Sequence, residues 1–84
     1  MKKYQVRVTS ECISTNGRPY NSDKFEGENV LPSDSAKQAI EQEARALLKV
    51  GSLDWYDDNS AVIKIKFDDG GEKHYFFDAC EVTE

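Results

Sequence analysis

Residues 61–82, AVIKIKFDDGGEKHYFFDACEV, predict two β-strands joined by a tight turn. Between Ala61 and Phe67 apolar residues largely alternate with lysines, which is the period-two pattern of a half-buried strand. The turn-forming sequence DDGG follows at 68–71, and residues 73–82 return as a second strand. The stretch is therefore typical of an antiparallel β-hairpin.

The pairing register of this hairpin has two interpretations. A two-residue turn at Asp69 and Gly70 places His74 and Phe76 on the inner face of the sheet. A longer loop with a glycine bulge places the other set of side chains there, Tyr75, Phe77 and Ala79. We favour the longer loop, because it buries two aromatic rings and leaves the only histidine outside.

Residues 33–50 predict an amphipathic helix. Ser35, followed three residues later by Gln38, matches a capping box, and Gly51 supplies a left-handed stop. The apolar positions recur every three or four residues and form one stripe: Ala36, Ala39, Ile40, Ala44, Leu47 and Leu48. The positions expected to face water are polar: Lys37, Gln38, Glu41, Gln42, Arg45 and Lys49. Such a helix is expected to pack its stripe against a sheet.

The N-terminal part of the chain adds one clear strand and one ambiguous segment. Residues 3–13 alternate between apolar and polar side chains and predict a half-buried strand. Residues 14–23, STNGRPYNSD, are turn formers and predict a loop or a wide hairpin connection. Residues 24–30 allow a short edge strand or no strand, since Gly27 and Asn29 weaken the pattern. Residues 52–60 are expected to connect the helix to the hairpin.

Together these elements predict a single α+β domain over residues 1–84. Its two layers are an antiparallel sheet of three to four strands and one helix packed on one face of that sheet, in the order β-(β)-α-β-β. A domain of this size buries only about 60% of the surface of its unfolded chain, so its core is thin. Aromatic residues occupy both faces of the last strand, and one helix covers only one face. We therefore expect the other face to be exposed or covered by another molecule.

The acidic residues are concentrated at one end of the sequence. The whole chain has a net charge of -5, yet residues 51–84 contain three lysines against nine acidic residues, while the first fifty residues are nearly neutral. An acidic surface repels phosphate backbones and attracts basic protein surfaces. No membrane span and no secretory signal are recognisable, so we expect a cytoplasmic protein that binds a protein partner with a basic surface, not a nucleic acid or a membrane.

No residue pattern indicates an enzyme, a cofactor or a metal site. His74 is the only histidine, and the motifs that supply a nucleophile or cradle a phosphate are absent from the sequence. The acidic stretches at 57–59 and 68–72 do not match the spacing of a calcium loop. Cys12 and Cys80 are interpreted as small, half-buried apolar residues, and a bridge between them requires that the terminal strands lie side by side.

The segment around Trp55 and Tyr56 is the best candidate for partner binding. Tryptophan and tyrosine are enriched at the energetic centres of interfaces, and acidic neighbours add long-range attraction to a basic partner. The predicted partner-binding residues are Asp54, Trp55, Tyr56, Asp57, Asp58, Asp68, Asp69 and Glu72. The competing interpretation is that Trp55 caps the end of the helix and seals the core.

Two other functions remain open. The chain is a homodimer with a structural or accessory role if its exposed hairpin face or its edge strand self-associates. It is a weak binder of single-stranded nucleic acid if the hairpin lysines Lys64, Lys66 and Lys73 act together with the aromatic residues between them.

The length, the acidity and the order of strand, helix and hairpin resemble those of small proteins of phages and mobile elements, among them several anti-CRISPR families. The resemblance lies in the outline of the whole chain. It implies a stoichiometric inhibitor, acting in the host cytoplasm, that occupies a basic surface of a host defence complex.

Overall fold

A computed structural model describes residues 2–48 and 53–82. The elements, in chain order, are β1 (Lys2–Ile13), β2 (Pro19–Ser33), α1 (Ala36–Leu48), β3 (Asp54–Asp57), β4 (Ser60–Lys66) and β5 (Glu72–Glu81). All five strands join one antiparallel sheet in the order β2-β1-β5-β4-β3, and α1 packs on one face of it.

The α+β class with an antiparallel sheet and one helix is confirmed, but the expected three to four strands are five. The additional strand is β3, which was expected to be part of a connection. Its sequence, DWYD, is too short to show a period-two pattern, and it becomes a strand because it pairs with β4, with Trp55 opposite Ala61.

The β4–β5 hairpin has the register that the longer loop predicts. Ile63 lies opposite Tyr75 and Ala61 opposite Phe77, so the inner side chains of β5 are Tyr75, Phe77 and Ala79. In the turn, the Gly70 N–H donates to the Phe67 carbonyl at 3.0 Å, and Gly70 has a φ of +93°. This left-handed backbone explains the glycine, since a side chain would be strained there.

The β1–β2 hairpin is longer than expected. The loop predicted for 14–23 is confined to residues 14–18, because β2 begins at Pro19, and residues 24–30 are part of an edge strand. The turn formers of this segment lie within the strand itself: Asn21 and Asp23 have φ values of 50° and 58°. Asparagine and aspartate tolerate this conformation, so the strand accommodates irregular pairing at residues that indicate a loop by composition.

The helix begins as the sequence predicts, with one difference in its cap. The Gln38 N–H donates to Ser35 Oγ at 3.2 Å, which makes Ser35 the N-cap. The Gln38 side chain does not return to the Ser35 N–H, as a capping box requires; its Oε1 accepts from the Asp34 N–H at 2.9 Å and from Ser33 Oγ at 3.0 Å. The predicted stop at Gly51 and the side chains of Leu48 and Lys49 lie outside the described residues.

The apolar stripe of α1 packs on the sheet except at its end. Ala36, Ala39, Ile40 and Ala44 are buried, as predicted, but Leu47 is 47% exposed. The helix crosses the sheet obliquely: Lys37 lies over Trp55 on the β3 edge, and Glu43 bonds to Asn29 on the opposite edge strand, β2. The last turn therefore reaches the edge of the sheet, where Leu47 has little surface to pack on.

The sheet extends well beyond the helix. The helix α1 is about 20 Å long and about 10 Å across, and it lies obliquely over the strands, whereas a 12-residue strand such as β1 spans about 40 Å. We call the inner face beneath α1 the covered half; its strand residues are Tyr4, Val6, Val8, Ala61, Ile63, Phe77 and Ala79. The rest of the inner face is the uncovered half, with Ser10, Cys12, Glu26, Ile65, Lys73 and Tyr75. The opposite side of the sheet is the outer face.

Candidate functional site

The predicted segment at 54–58 forms one edge of the sheet. β3 pairs with β4 alone, with Asp54 opposite Val62 and Asp57 opposite Ser60, and its register shifts between Trp55 and Asp57. Within the described residues, no strand pairs with its other side. Asp58 follows in the turn to β4. We call residues 54–58 the acidic edge segment.

The two aromatic rings of the acidic edge segment have different environments. Trp55 is half-buried against the core, and the Nζ of Lys37, in the first turn of α1, lies 5.1 Å from the centroid of its ring. This ring therefore helps to seal the core beside the start of the helix. The Tyr56 side chain is 64% exposed, the largest exposed fraction among the large hydrophobic side chains of the described residues.

The acidic residues of this segment also differ in role. One Asp57 carboxylate oxygen accepts from the Asn59 N–H at 2.7 Å and from Ser60 Oγ at 3.0 Å, so this side chain closes the turn. The Asn59 N–H, followed by the Ser60 hydroxyl, holds the pKa of Asp57 below its usual value. Asp54 and Asp58 are exposed and form no hydrogen bond or ion pair with the described part of the chain.

The remaining predicted residues lie elsewhere. Asp68 and Asp69 are in the β4–β5 turn, where Asp69 Oδ1 accepts from the Gly71 N–H at 2.9 Å. Glu72 begins β5, and its Oε1 lies 3.4 Å from His74 Nε2. Because the seven residues of β4 separate this turn from Asp58, the two acidic groups lie about 23 Å apart. The structure does not bring the eight predicted residues into one site.

The lysines of the predicted stacking platform do not lie on one face. Lys64 and Lys66 pair with His74 and Glu72, on the outer face, whereas Lys73 pairs with Ile65 on the inner face. A single strand of nucleic acid lying on either face would meet only part of this set.

A cleft of about 440 Å³ lies beside the acidic edge segment, and no pattern in the sequence predicts it. It forms where the start of α1, the end of β5 and the β3–β4 turn meet. Its lining residues come from distant parts of the chain: Tyr4, Ser35, Ala36, Lys37, Asp58, Asn59, Ala79, Cys80 and Glu81. Its charges have both signs, and Lys2 Nζ lies 3.7 Å from the Glu81 carboxylate. Asp58 belongs both to the acidic edge segment and to the lining of the cleft, so the two features are adjacent.

A polar cluster centred on Glu26 occupies the uncovered half. Ser10 Oγ donates to Glu26 Oε1 at 2.6 Å, and Lys73 Nζ and Lys24 Nζ lie 3.5 and 3.9 Å from the same oxygen. The Ser10 hydroxyl is the main cause of a lowered pKa at Glu26, and the two lysines add to it. Lys73 lies 4.8 Å from the centroid of the Tyr75 ring, and Tyr75 is the main cause of its raised pKa. The cluster covers sheet surface that the helix does not reach.

The two cysteines do not approach each other. β1 and β5 lie side by side, but Cys12 is opposite Lys73 and Cys80 is opposite Gln5, seven residues away along β1. That offset is about 23 Å, far beyond the reach of a disulfide. Both thiols are free; Cys12 is half-buried, as expected, whereas Cys80 is exposed.

Within residues 2–48 and 53–82, no group of three or more His, Cys, Asp or Glu side chains is placed to hold a metal ion. The same ranges contain no helix long and apolar enough to cross a membrane.

Comparison of the chain with protein-family models, with curated proteins and with solved structures finds no match.

Proposed function

We propose that this protein is a small, non-enzymatic binding module that captures a basic surface of a partner protein through the acidic edge segment. The observation that carries the proposal is the exposure of Tyr56, which is 64% accessible on an edge strand between exposed carboxylates. A large aromatic ring supplies contact area at low cost in conformational entropy, and carboxylates around it orient a basic partner before contact.

Three features of the segment support this role. Its outer backbone edge pairs with no other described strand, so it can accept an extended segment of the partner. Asp54 and Asp58 carry charge that the described chain does not neutralise. Trp55 and the Asp57 turn anchor the segment to the core, so little order has to be gained on binding.

The resemblance to small phage and mobile-element proteins supplies the class of partner. We propose a protein of a host defence complex of the CRISPR-Cas type, whose nucleic-acid channel offers a basic surface. The module occupies that surface in the host cytoplasm, with a stoichiometric and not a catalytic effect.

The test starts from a partner captured from host lysate and identified by mass spectrometry, and it uses two matched charge reversals. Asp58→Lys changes the acidic edge segment, and Asp68→Lys makes the same change of charge in the β4–β5 turn. Neither carboxylate bonds to the described chain, so both variants are expected to fold. We expect Asp58→Lys to weaken partner binding by about tenfold and to lower its salt dependence, and Asp68→Lys to have a much smaller effect.

A second substitution separates the aromatic contribution from the charge. Tyr56→Ala is expected to weaken binding by about tenfold or more without altering the salt dependence, because it removes an apolar contact. Equal losses for Asp58→Lys and Asp68→Lys would show that overall charge, and not the acidic edge segment, drives binding. Unchanged binding by both Tyr56→Ala and Asp58→Lys would refute the proposed site.

A further inference from the structure

In the described chain no helix or strand packs over the outer face of the sheet, yet this face carries large apolar side chains. One of them, Val62 on β4, lies opposite Phe76 and is fully buried among its neighbours. Phe25 and Val30, both on β2, are 54% and 52% exposed, and Phe76 on β5 is half-buried. Phe25 pairs with Thr9, and Thr9 pairs with Phe76, so the two rings lie in one row across three strands. A solvated sheet face is usually polar, so this row marks a surface suited to contact.

In the rows on either side of this apolar row, polar groups on β1 lie opposite polar groups on β5. On one side Arg7 of β1 lies opposite Asp78 of β5, and on the other side Glu11 of β1 lies opposite His74 of β5. The first row thus carries opposite charges on β1 and β5, and the second carries a carboxylate on β1 and an imidazole, which can donate a hydrogen bond, on β5. If a second copy is rotated by 180° about a line between β1 and β5, the β1 groups of one copy therefore face the complementary β5 groups of the other.

We propose that the outer face binds a second copy of this chain around a two-fold axis that runs parallel to the strands, between β1 and β5. This rotation places β1 of one copy over β5 of the other. Arg7 then meets Asp78 of the second copy, and Glu11 meets its His74. The flanking rows add no contact between like charges: Gln5 meets Cys80 and Ile13 meets Glu72.

The dimensions of the molecule fit such an interface. The chain measures 45 by 21 by 20 Å, so its long face exceeds the roughly 800 Å² that each partner contributes to a standard interface. Two sheets stacked face to face lie about 10 Å apart, a gap that Arg7, Phe25 and Phe76 can fill from both sides.

The arrangement leaves the proposed partner site accessible. Three strands, β5, β4 and β3, lie on one side of the axis, and two strands, β1 and β2, lie on the other. After the rotation β3 therefore projects beyond the second copy. The dimer presents two acidic edge segments, one on each side. This inference is independent of what those segments bind.

The decisive experiment mixes two charge-reversed variants, Arg7→Glu and Asp78→Arg. Alone, each variant places like charges at both symmetry-related contacts of its own dimer, and we expect self-association to weaken by at least about tenfold. In the mixed dimer Glu at position 7 of one copy faces Arg at position 78 of the other, and the second contact remains Arg7 with Asp78. Sedimentation equilibrium or native mass spectrometry of the mixture is expected to show a heterodimer close to wild-type strength.

The mixing step excludes a simple effect on folding. Arg7 and Asp78 are also cross-strand neighbours within one chain, where Arg7 lies over the Phe25 ring at 5.5 Å. Each variant places like charges at these two neighbouring positions of its own chain, and mixing the variants does not relieve that. Circular dichroism confirms that each variant is folded. Arg45→Glu, an equal change of charge on the exposed side of α1, is expected to leave dimerisation unchanged. Phe25→Ala is expected to weaken it, whereas Tyr20→Ala, an equally exposed ring opposite Cys12 on the inner face, is not.

A wild-type chain that sediments as a monomer across the accessible concentration range would overturn the proposal, as would a dimer that mixing does not restore. If the chain is monomeric and Phe25→Ala lowers capture of a basic protein, the outer face belongs to that partner and not to a second copy. Because dimerisation is measured on the purified chain alone, its failure does not affect the test of the acidic edge segment.

Discussion

The covered and uncovered halves of the inner face are continuous parts of one sheet surface, yet they are stabilised differently. Under α1 the neighbouring positions Val6 and Val8 on β1 are fully buried in an apolar core. Two residues further along the same strand and face, Ser10 is equally buried, but its hydroxyl donates to Glu26. The change from apolar to polar marks the boundary between the covered and the uncovered half.

The difference shows how this chain covers a sheet that is longer than the helix α1. It cannot cover a 12-residue strand with a 13-residue helix, so long side chains from the sheet itself cover the remainder. Burial of apolar area supplies most of the stability in the covered half. In the uncovered half, Ile65 and Tyr75 still pack against the core, and hydrogen bonds and ion pairs, each worth less, contribute a larger share. We therefore expect substitutions of inner-face residues to lower the free energy of unfolding most in the covered half and much less in the uncovered half.

The largest effect is expected at the centre of the covered half. Phe77 is fully buried, so Phe77→Ala should lower the free energy of unfolding by about 3–5 kcal/mol, measured by urea denaturation. Phe76→Ala, at the next position on the outer face, is the matched control and should cost less because that ring is half-exposed. If Phe77→Ala does not fold, Phe77→Leu keeps most of the volume and should cost less than about 1.5 kcal/mol. Equal costs at 76 and 77 would contradict the assignment of the core.

This covered half is also the part of the fold that the sequence predicts best. Period two in residues 3–13 and in the hairpin predicts the burial of Val6, Val8 and Phe77, which the structure confirms. The stripe of α1 correctly assigns Ala39 and Ile40 to the core, although it also assigns Leu47, which is exposed. The register follows from the preference for burying Phe77 and not His74. These predictions succeed because each depends on a local pattern that repeats over two or more turns of helix or pleats of strand.

The failures have a common physical cause, which is dependence on contacts with distant segments. Residues 54–57 form a strand because β4 lies beside them, and Asn21 and Asp23 fit within β2 because β1 accommodates irregular pairing. Glu43, for which the helical pattern makes no prediction, is only 3% exposed, and Asn29 on β2 satisfies its carboxylate by donating to it at 2.8 Å. The predicted site residues form two separate groups for the same reason. Asp58 and Asp68 are close in sequence, but they lie at opposite ends of the extended strand β4.

An intermediate effect is expected in the uncovered half. Ser10→Ala removes a hydrogen bond to a carboxylate and should cost about 1–2 kcal/mol. Glu26 has a lowered pKa in the folded chain, so unfolding takes up a proton at low pH. The contribution of Glu26 to the stability of the folded chain is therefore fully present when the pH is above its unfolded-state pKa of 4.5. This contribution is lost as the pH falls through the lower pKa of the folded chain.

Denaturation over a pH series separates this contribution from the rest. Glu26→Gln should be less stable than the wild type at neutral pH, and the difference should shrink on acidification below about pH 4.5. Asp57, whose pKa is also lowered, should keep part of the acid dependence in this variant. A difference that stays constant with pH would mean that the Glu26 cluster does not stabilise the uncovered half through charge.

The smallest effect is expected at Leu47, which tests where the covered half ends. The helical stripe assigns this leucine to the core, but its 47% exposure indicates that the last turn of α1 has passed the edge of the sheet. Leu47→Ser should therefore change the free energy of unfolding by no more than about 0.5 kcal/mol, as at ordinary surface positions. Ile40→Ser, two turns earlier on the same stripe and fully buried, is the matched substitution and should be strongly destabilising. A cost at Leu47 approaching that at Ile40 would place the boundary of the core at least one turn beyond Ala44.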